Sequence, residues 1–452
     1  MPEVSLPWGD GELKIALPEH WQVQQIAASS LPRQGGDWRD ALGAALGQPT
    51  GEAPLGQLLA ARRTGRIVLV VEDFSRHSPL AEILEVVMAE LTRQRISTNQ
   101  VQVIFATGMH PQMTAAQAAA KLGPLAHSLR WRSNRCKDAA GHVHLGRVGK
   151  LDASVDRDVA DADLRIVISS VSPHLQAGFG GGYKMFLPGC ASIETIRQLH
   201  RMGVDRVPRQ WVGTDAAGNP MRAAIDAAGR LIDQRHGKSF AVQYVLDNDD
   251  RPAIVAAGSM EAVQQMLAKR CAVACGVLVE KPADVLLVNA YPRDCDLWQS
   301  FKGIANTRWA ARAGGVIICL ARCEAGMYGM DVPQWSLSWK LVRALVRLLG
   351  SDALGALLTR LAPNLAADAA FFIRLALQAI HRNPVLMVSP ALAGGGKTFP
   401  GLKIVADPAD AIAEAGKLLG DSPQKVTVFP SGGTTYPVIA GGSTGGDRGG
   451  ND

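Results

Sequence analysis

Short runs of β-branched and aliphatic residues alternate along the chain with longer stretches whose apolar positions recur at a helical period. The first set is Arg66–Asp73 (RIVLVVED), Val101–Gly108 (VQVIFATG) and Leu164–Ser170 (LRIVISS), with an amphipathic helix from Pro79 to about Arg95 between the first two. The second is Ala283–Ala290 (ADVLLVNA), Gly314–Ala321 (GGVIICLA), Pro384–Ser389 (PVLMVS) and Lys425–Phe429, with helices near 333–361, 365–381 and 408–419. This alternation predicts two α/β domains with mainly parallel sheets and an active site in the cleft between them. Residues 255–280 are rich in Ala and Val and are expected to be helical, as a connector or as the last helix of the first domain. The expected division is 1–270, an N-terminal α/β domain, and 271–440, a C-terminal one. The segment 441–452 (GGSTGGDRGGND) has no apolar anchor and is expected to be disordered.

Ligands of such sheets bind beyond the carboxyl ends of the strands. Those ends carry Asp73-Phe74-Ser75-Arg76-His77, then Thr107-Gly108-Met109-His110, then Ser172-Pro173-His174 followed by Gly178-Phe179-Gly180-Gly181-Gly182-Tyr183-Lys184. After ADVLLVNA comes a polar segment with Asp294, Asp296, Gln299 and Lys302. Histidines at three successive strand ends suit proton transfer near neutrality, because imidazole titrates there. Arg76 offers a planar fork for a carboxylate or phosphate, and Asp73 stands where it can orient that fork or a histidine.

Composition narrows the classes. Hydrophobic residues make up 47% and charged residues 19%, which is a globular balance. The net charge of +6 is too dilute over 452 residues for nucleic-acid binding, though it mildly favours anionic substrates. The apolar stretches near 340–362 and 369–389 are interrupted by Arg343, Arg347, Arg360, Arg374 and His381, so no membrane span is expected. The N-terminus has no secretory pattern, which makes a cytoplasmic location the expectation. Seven cysteines, an odd number without an export signal, imply reduced thiols. Cys271 with Cys275 and Cys319 with Cys323 share a spacing that would place each pair on one helix face, without the spacing of a zinc ribbon. His142 and His144 fit a bland surface pair on a strand.

Two glycine-rich segments invite a phosphate reading. GFGGGYK lacks the Gly-Lys-Ser/Thr of a phosphate loop, yet Gly180, Gly181 and Gly182 would let backbone approach a phosphate or a flat cofactor, with Lys184 as point charge or attachment amine. Ala391-Leu-Ala-Gly-Gly-Gly-Lys397-Thr398 satisfies a relaxed phosphate-loop pattern, but Phe399-Pro400-Gly401 breaks the helix such a loop must open. A nucleotide- or phosphate-dependent transferase using Gly394–Lys397, and a non-catalytic anion-binding protein, are therefore the alternatives to an acid–base enzyme.

His110 in TGMH, His174 in SSVSPH, Lys184 in GFGGGYKMFLPG and His200 in CASIETIRQLH together resemble the nickel-dependent lactate racemase family. The likeness runs from about Val70 through His200 and resumes in DLWQSFKG, Asp296–Gly303, and in FPSGGTTYP, Phe429–Pro437. It implies a nickel-pincer nucleotide (nickel pyridinium-3-thioamide-5-thiocarboxylic acid mononucleotide) tethered to Lys184, with His200 on the nickel. It implies His110 and His174 as the two acid/base residues, and Arg76, Gln299 and Lys302, with Asp73 behind them, at the substrate. The activity implied is racemisation or epimerisation of a small 2-hydroxy carboxylic acid by reversible hydride transfer, with pincer-cofactor biosynthesis enzymes as partners. His77 and Pro111 depart from the family's usual proline and arginine. Asp368–Phe372 lacks the family's tryptophan near the substrate, so a 2-hydroxy acid larger than lactate is expected.

Overall fold

The computed structural model describes residues 2–30, 36–203, 209–327, 338–361, 370–394 and 401–440. The chain divides into two compact units, one formed by residues 31–203 and 214–272 and the other by 1–30, 204–213 and 273–452. The first domain therefore does not begin at residue 1, as the sequence suggested. The reason is strand pairing: Trp21–Ile26 lies parallel to Gln424–Phe429 at the edge of the second unit's sheet. The terminal segment 441–452 lies outside the described residues.

In the first unit a six-stranded sheet runs in the order Pro252–Ser259, Ser239–Leu246, Leu164–Ser170, Ile67–Val71, Val101–Phe105, Arg130–Ser133. Numbered along the chain this is 6-5-4-1-2-3, parallel except for the outermost strand, which closes an antiparallel hairpin. The chain leaves Ile67–Val71 in one direction and returns on its other side at Leu164, so the topological switch falls between those two strands. All five residues of Ile67–Val71 are buried, as a strand covered on both faces must be. On one face Leu69 and Val71 meet Ile83, Leu84 and Val87 of the helix Leu80–Arg93, the amphipathic helix the sequence predicts.

The second unit's sheet is parallel throughout, in the order Leu402–Val405, Val385–Val388, Ala311–Leu320, Ala283–Asn289, Gln424–Phe429, Trp21–Ile26. Alternate residues separate its two cores. Leu286, Val288, Ile317 and Cys319 face the helices Leu297–Thr307 and Ala370–Arg382, whereas Val285, Leu287, Val316 and Ile318 face Pro408–Leu419 and the N-terminal hairpin Glu3–Trp8/Gly11–Ala16. Deleting such a buried leucine, for example Leu287→Ala, costs ~2–5 kcal/mol.

Three local expectations change. Residues 255–280 are not one helix: Pro252–Ser259 is a strand, Met260–Cys275 a helix and Gly276–Val279 a strand. Ile254 and Val255 favour the pleat, and the turn at Asp247–Arg251 folds them back onto Ser239–Leu246. The long helix near 333–361 is two helices, Trp339–Leu349 and Ser351–Leu361, interrupted at Gly350, whose φ of 82° only glycine adopts easily. Cys319 lies in a strand and Cys323 after it, so they do not share a helix face; all seven cysteines are free thiols. His142 is buried and His144 is exposed, its Nε2 2.6 Å from Asp152. No helix of the described residues is long and apolar enough to cross a membrane.

Candidate active site

The site starts at the switch point of the first unit. Glu72 and Asp73 follow the strand Ile67–Val71 and are both buried. Glu72 is fully partnered: Oε1 accepts from the Ser170 backbone N–H (2.7 Å) and hydroxyl (2.5 Å), and Oε2 from Ser78 Oγ and Tyr244 OH, each at 2.9 Å. It thereby clamps together the two strand ends that flank the switch. Asp73 points one oxygen at Ser75, accepting from its N–H (3.0 Å) and hydroxyl (2.6 Å), and the other at His110 Nδ1, 2.5 Å away. Burial alone would raise the Asp73 pKa. The charge and hydrogen bond of His110, the Arg76 guanidinium and the Ser75 hydroxyl outweigh it and hold the carboxyl well below the usual range.

The loop carrying Arg76 is held by Lys121, whose Nζ donates to the Arg76 carbonyl (2.6 Å) and the Ser78 carbonyl (3.0 Å). His110 sits in a turn after Val101–Phe105, donating its N–H to the Thr107 carbonyl at 2.8 Å. Gly108, at φ 56°, lets that turn close, and its N–H reaches the Gly189 carbonyl at 2.8 Å, which ties the His110 turn to the Lys184 segment.

His174 lies on the two-residue strand Pro173–His174, paired with Gly178–Phe179. Its Nδ1 accepts the backbone N–H groups of Gln176 (3.2 Å) and Ala177 (3.0 Å). The Gln176 amide continues to the His200 carbonyl at 3.2 Å.

The glycines between them owe their presence to the protein's own packing. Gly178, Gly181 and Gly182 all have positive φ. A Cβ at Gly178 would stand 1.8 Å from the Thr214 carbonyl oxygen, one at Gly181 2.8 Å from Gln243 Nε2, and one at Gly182 2.8 Å from Gln264 Oε1. The Gly180 N–H is used by the Ser172 carbonyl (2.8 Å), and its own carbonyl accepts from Gln264 Nε2 (2.9 Å). The Gly180 backbone is thus engaged by Ser172 and Gln264. Arg222 adds a donor to the Gly181 carbonyl (3.3 Å) while pairing with Asp226 at 2.7 Å.

This packing fixes the short turn Gly182–Met185, which carries Lys184. Tyr183 anchors one side by donating to Asp233 Oδ2 at 2.6 Å. Burial, then the positive charges of Arg76 and Arg222, bring the Lys184 pKa down to about 7, with Asp73 and Glu72 opposing. His200, on the helix Ile193–Met202 whose first turn is capped by Ser192, is brought down to about 3 by burial and by the charges of Lys184 and His110. Asp73, Arg76, His110, Lys184, His200 and Arg222 therefore share one electrostatic neighbourhood. At neutral pH it holds an ionised carboxylate, an amine near half-protonation and a neutral imidazole able to ligate a metal. An amine-selective acylating reagent should modify Lys184 with a midpoint near pH 7, while ordinary lysines follow about 10.4. Peptide mass spectrometry across pH checks this, and a Lys184 profile matching the other lysines would refute it.

Gln299 and Lys302 lie in the second unit, on the helix Leu297–Thr307, which Asp296 caps by accepting the Gln299 N–H at 2.7 Å. They stand three residues apart on one helix face, and Lys302 Nζ donates to Gln299 Oε1. Lys397 and Asp368 lie outside the described residues, as do the side chains of Phe371 and Phe372. Sequence reasoning passed over Arg222, Glu72 and Lys121. The polar residue in FAVQYV, Gln243, was the available signal that something polar is buried beside the glycines.

Together, fold and site define a doubly wound α/β protein organised around a histidine–aspartate pair, a near-neutral lysine and a neutral histidine. Residues 8–211 match the lactate racemase N-terminal domain. Lactate racemase of Thermoanaerobacterium thermosaccharolyticum is 27% identical over 349 residues, covering 74% of this chain and 78% of that one. Lactate racemase of Lactiplantibacillus plantarum is 26% identical over 293 residues, 63% of this chain and 66% of that one. The solved lactate racemase apoprotein from T. thermosaccharolyticum superposes with a TM-score of 0.79 at 22% identity, over 97% of this chain and 100% of that chain. A Thermotoga maritima protein of known crystal structure gives 0.64 at 17% identity, over 91% and 99%; both structures speak for the fold. Residues 8–211 thus carry the lactate racemase N-terminal domain, both relatives are lactate racemases, and the class of activity is that of an isomerase.

Proposed function

We propose that the protein racemises or epimerises a 2-hydroxy carboxylic acid, lactate or a larger one, using a nickel-pincer nucleotide attached to Lys184. The observation that carries this reading is the pairing of an amine at about 7 with a neutral imidazole in one neighbourhood, Lys184 and His200. An amide-type bond to lysine forms only from the free amine, which Lys184 offers near neutrality. Arg76 and Arg222 supply positive charge for an anionic nucleotide. His200 would hold the nickel through its neutral imidazole.

When bound, the pincer supplies a reversible hydride acceptor, which avoids a carbanion beside a carboxylate. The chain's own work is proton handling and grip. Asp73 accepts the His110 Nδ1–H, which leaves the Nε2 lone pair as the base for a substrate hydroxyl. His174 is set the opposite way. Its Nδ1 accepts two backbone N–H groups, so the neutral ring carries its proton on Nε2 and meets the substrate as a donor. Each turnover uses both roles, a proton taken at one face and one returned at the other. Arg76, Gln299 and Lys302 are assigned to the substrate carboxylate and oxygen.

The test is co-expression with pincer-biosynthesis enzymes, followed by intact-mass measurement, nickel analysis and assay against a panel of enantiopure 2-hydroxy acids. An added mass with one nickel per chain and racemisation of at least one acid is expected, an acid larger than lactate being turned over best. A loaded, nickel-replete chain inert towards the whole panel would overturn the reading; lactate as best substrate would overturn only the size expectation.

A further inference from the structure

One buried cation of the second unit has no counterion among the described residues. Arg308 follows the helix Leu297–Thr307 and opens the turn Arg308–Ala310 that leads into Ala311–Leu320. It is 6% exposed, yet its Nε is buried without an acceptor, and among the described residues no hydrogen bond or ion pair joins its side chain to another residue. Its guanidinium lies 4.6 Å from the centre of the Trp309 ring. Arg382, the last residue of the helix Ala370–Arg382, approaches the same ring at 5.6 Å, and its Nε is likewise buried without an acceptor. Burial and the charge of Arg382 lower the Arg308 pKa to about 10, so Arg308 is cationic at neutral pH; guanidinium groups in proteins stay protonated there.

Other deeply buried arginines of this chain are satisfied. Arg165 donates to the carbonyls of Val159, Ala160, Ala162 and His236, and Arg222 pairs with Asp226. The carbonyl ends of helices attract cations, but among the described residues the one side-chain bond of this pair is Arg382 Nη2 to the carbonyl of Ala311, at the start of the strand, at 3.1 Å. A ring face attracts cations without taking up their N–H groups. Two guanidinia sharing one indole, with buried donors and no carboxylate bonded to them among the described residues, are therefore completed by an anion with two or more oxygens, which can accept from both forks.

We propose that Arg308, Arg382 and Trp309 form a binding site for a small free oxyanion, a phosphate or a carboxylate. The site uses none of the residues assigned to catalysis or to the pincer, and it does not depend on that assignment. The test is thermal unfolding and calorimetric titration of the full chain with inorganic phosphate, against chloride at matched ionic strength, with an acetate series alongside. The unfolding midpoint should rise by about 2–4 °C for each tenfold increase of phosphate above its Kd. That rise should vanish in Arg308→Met, which keeps the volume of the buried stem. If acetate acts as well, the site takes carboxylates too; if phosphate acts alone, it is specific for phosphate. Should Arg308→Met fail to fold, Arg382→Gln, at the half-buried member, should weaken the phosphate response at least tenfold. An unchanged midpoint in wild type, or the same phosphate response in the variants, would overturn the proposal.

Discussion

Lys184→Ala, co-expressed with pincer-biosynthesis enzymes, should show the unmodified mass, hold no stoichiometric nickel and racemise no 2-hydroxy acid at a detectable rate. The fold should survive. The turn that carries Lys184 is held by its backbone, Lys184 N–H to the Gly181 carbonyl at 3.3 Å and Gly189 N–H to the Lys184 carbonyl at 3.1 Å, and by the Tyr183–Asp233 bond, none of which uses the lysine side chain. Lys184→Arg is the sharper control. Arginine keeps the positive charge but not a titratable amine, so it should be equally unloaded and inactive. A second readout is independent of activity. The Lys184 charge is one of the causes holding His200 down to about 3, so its removal should raise the His200 midpoint in an NMR titration. An added mass that persists in Lys184→Ala would place the attachment on another residue and sink the assignment.

The parts of this site that sequence made legible are those where backbone dictates position. Apolar runs mark covered parallel strands, and in a doubly wound sheet the residues after those runs must converge, which brought forward Asp73, Arg76, His110 and His174. The second sheet was legible in the same way, except at its edge. Trp21–Ile26 shows polar residues at alternate positions, as an edge strand does, and nothing local says that it pairs some 400 residues away. The glycine-rich loop was legible as special, but not the packing its glycines make possible. Its glycines accommodate Thr214, Gln243 and Gln264, contacts made by residues 36 or more positions distant and therefore invisible to local pattern. Arg222 and Glu72 escaped for the same cause, since a buried charge announces itself only through partners that folding supplies.

His110→Ala should lower the racemisation rate of the loaded enzyme by ~10²–10⁴-fold, the usual worth of a positioned acid–base group. The loss should be equal in both directions, because enantiomers have equal free energy and each turnover takes a proton at one face and returns one at the other. Asp73→Asn separates orientation from bulk. The amide can present N–H to His110 Nδ1, which reverses the ring's tautomer, moves the proton to Nε2 and removes the lone pair that faces the substrate. It also removes the carboxylate that stabilises the imidazolium. A loss approaching ~10⁴-fold is therefore expected, the scale seen when the carboxylate behind a catalytic histidine is amidated elsewhere. Nickel content and added mass should stay at the wild-type level in both variants, since neither residue is assigned to the cofactor. Asp73 is held far below neutrality, so its ionisation should leave no inflection in the rate–pH profile between about pH 5 and 9. Near-wild-type racemisation by loaded His110→Ala would remove His110 from the chemistry and leave the 2.5 Å contact with Asp73 a structural one.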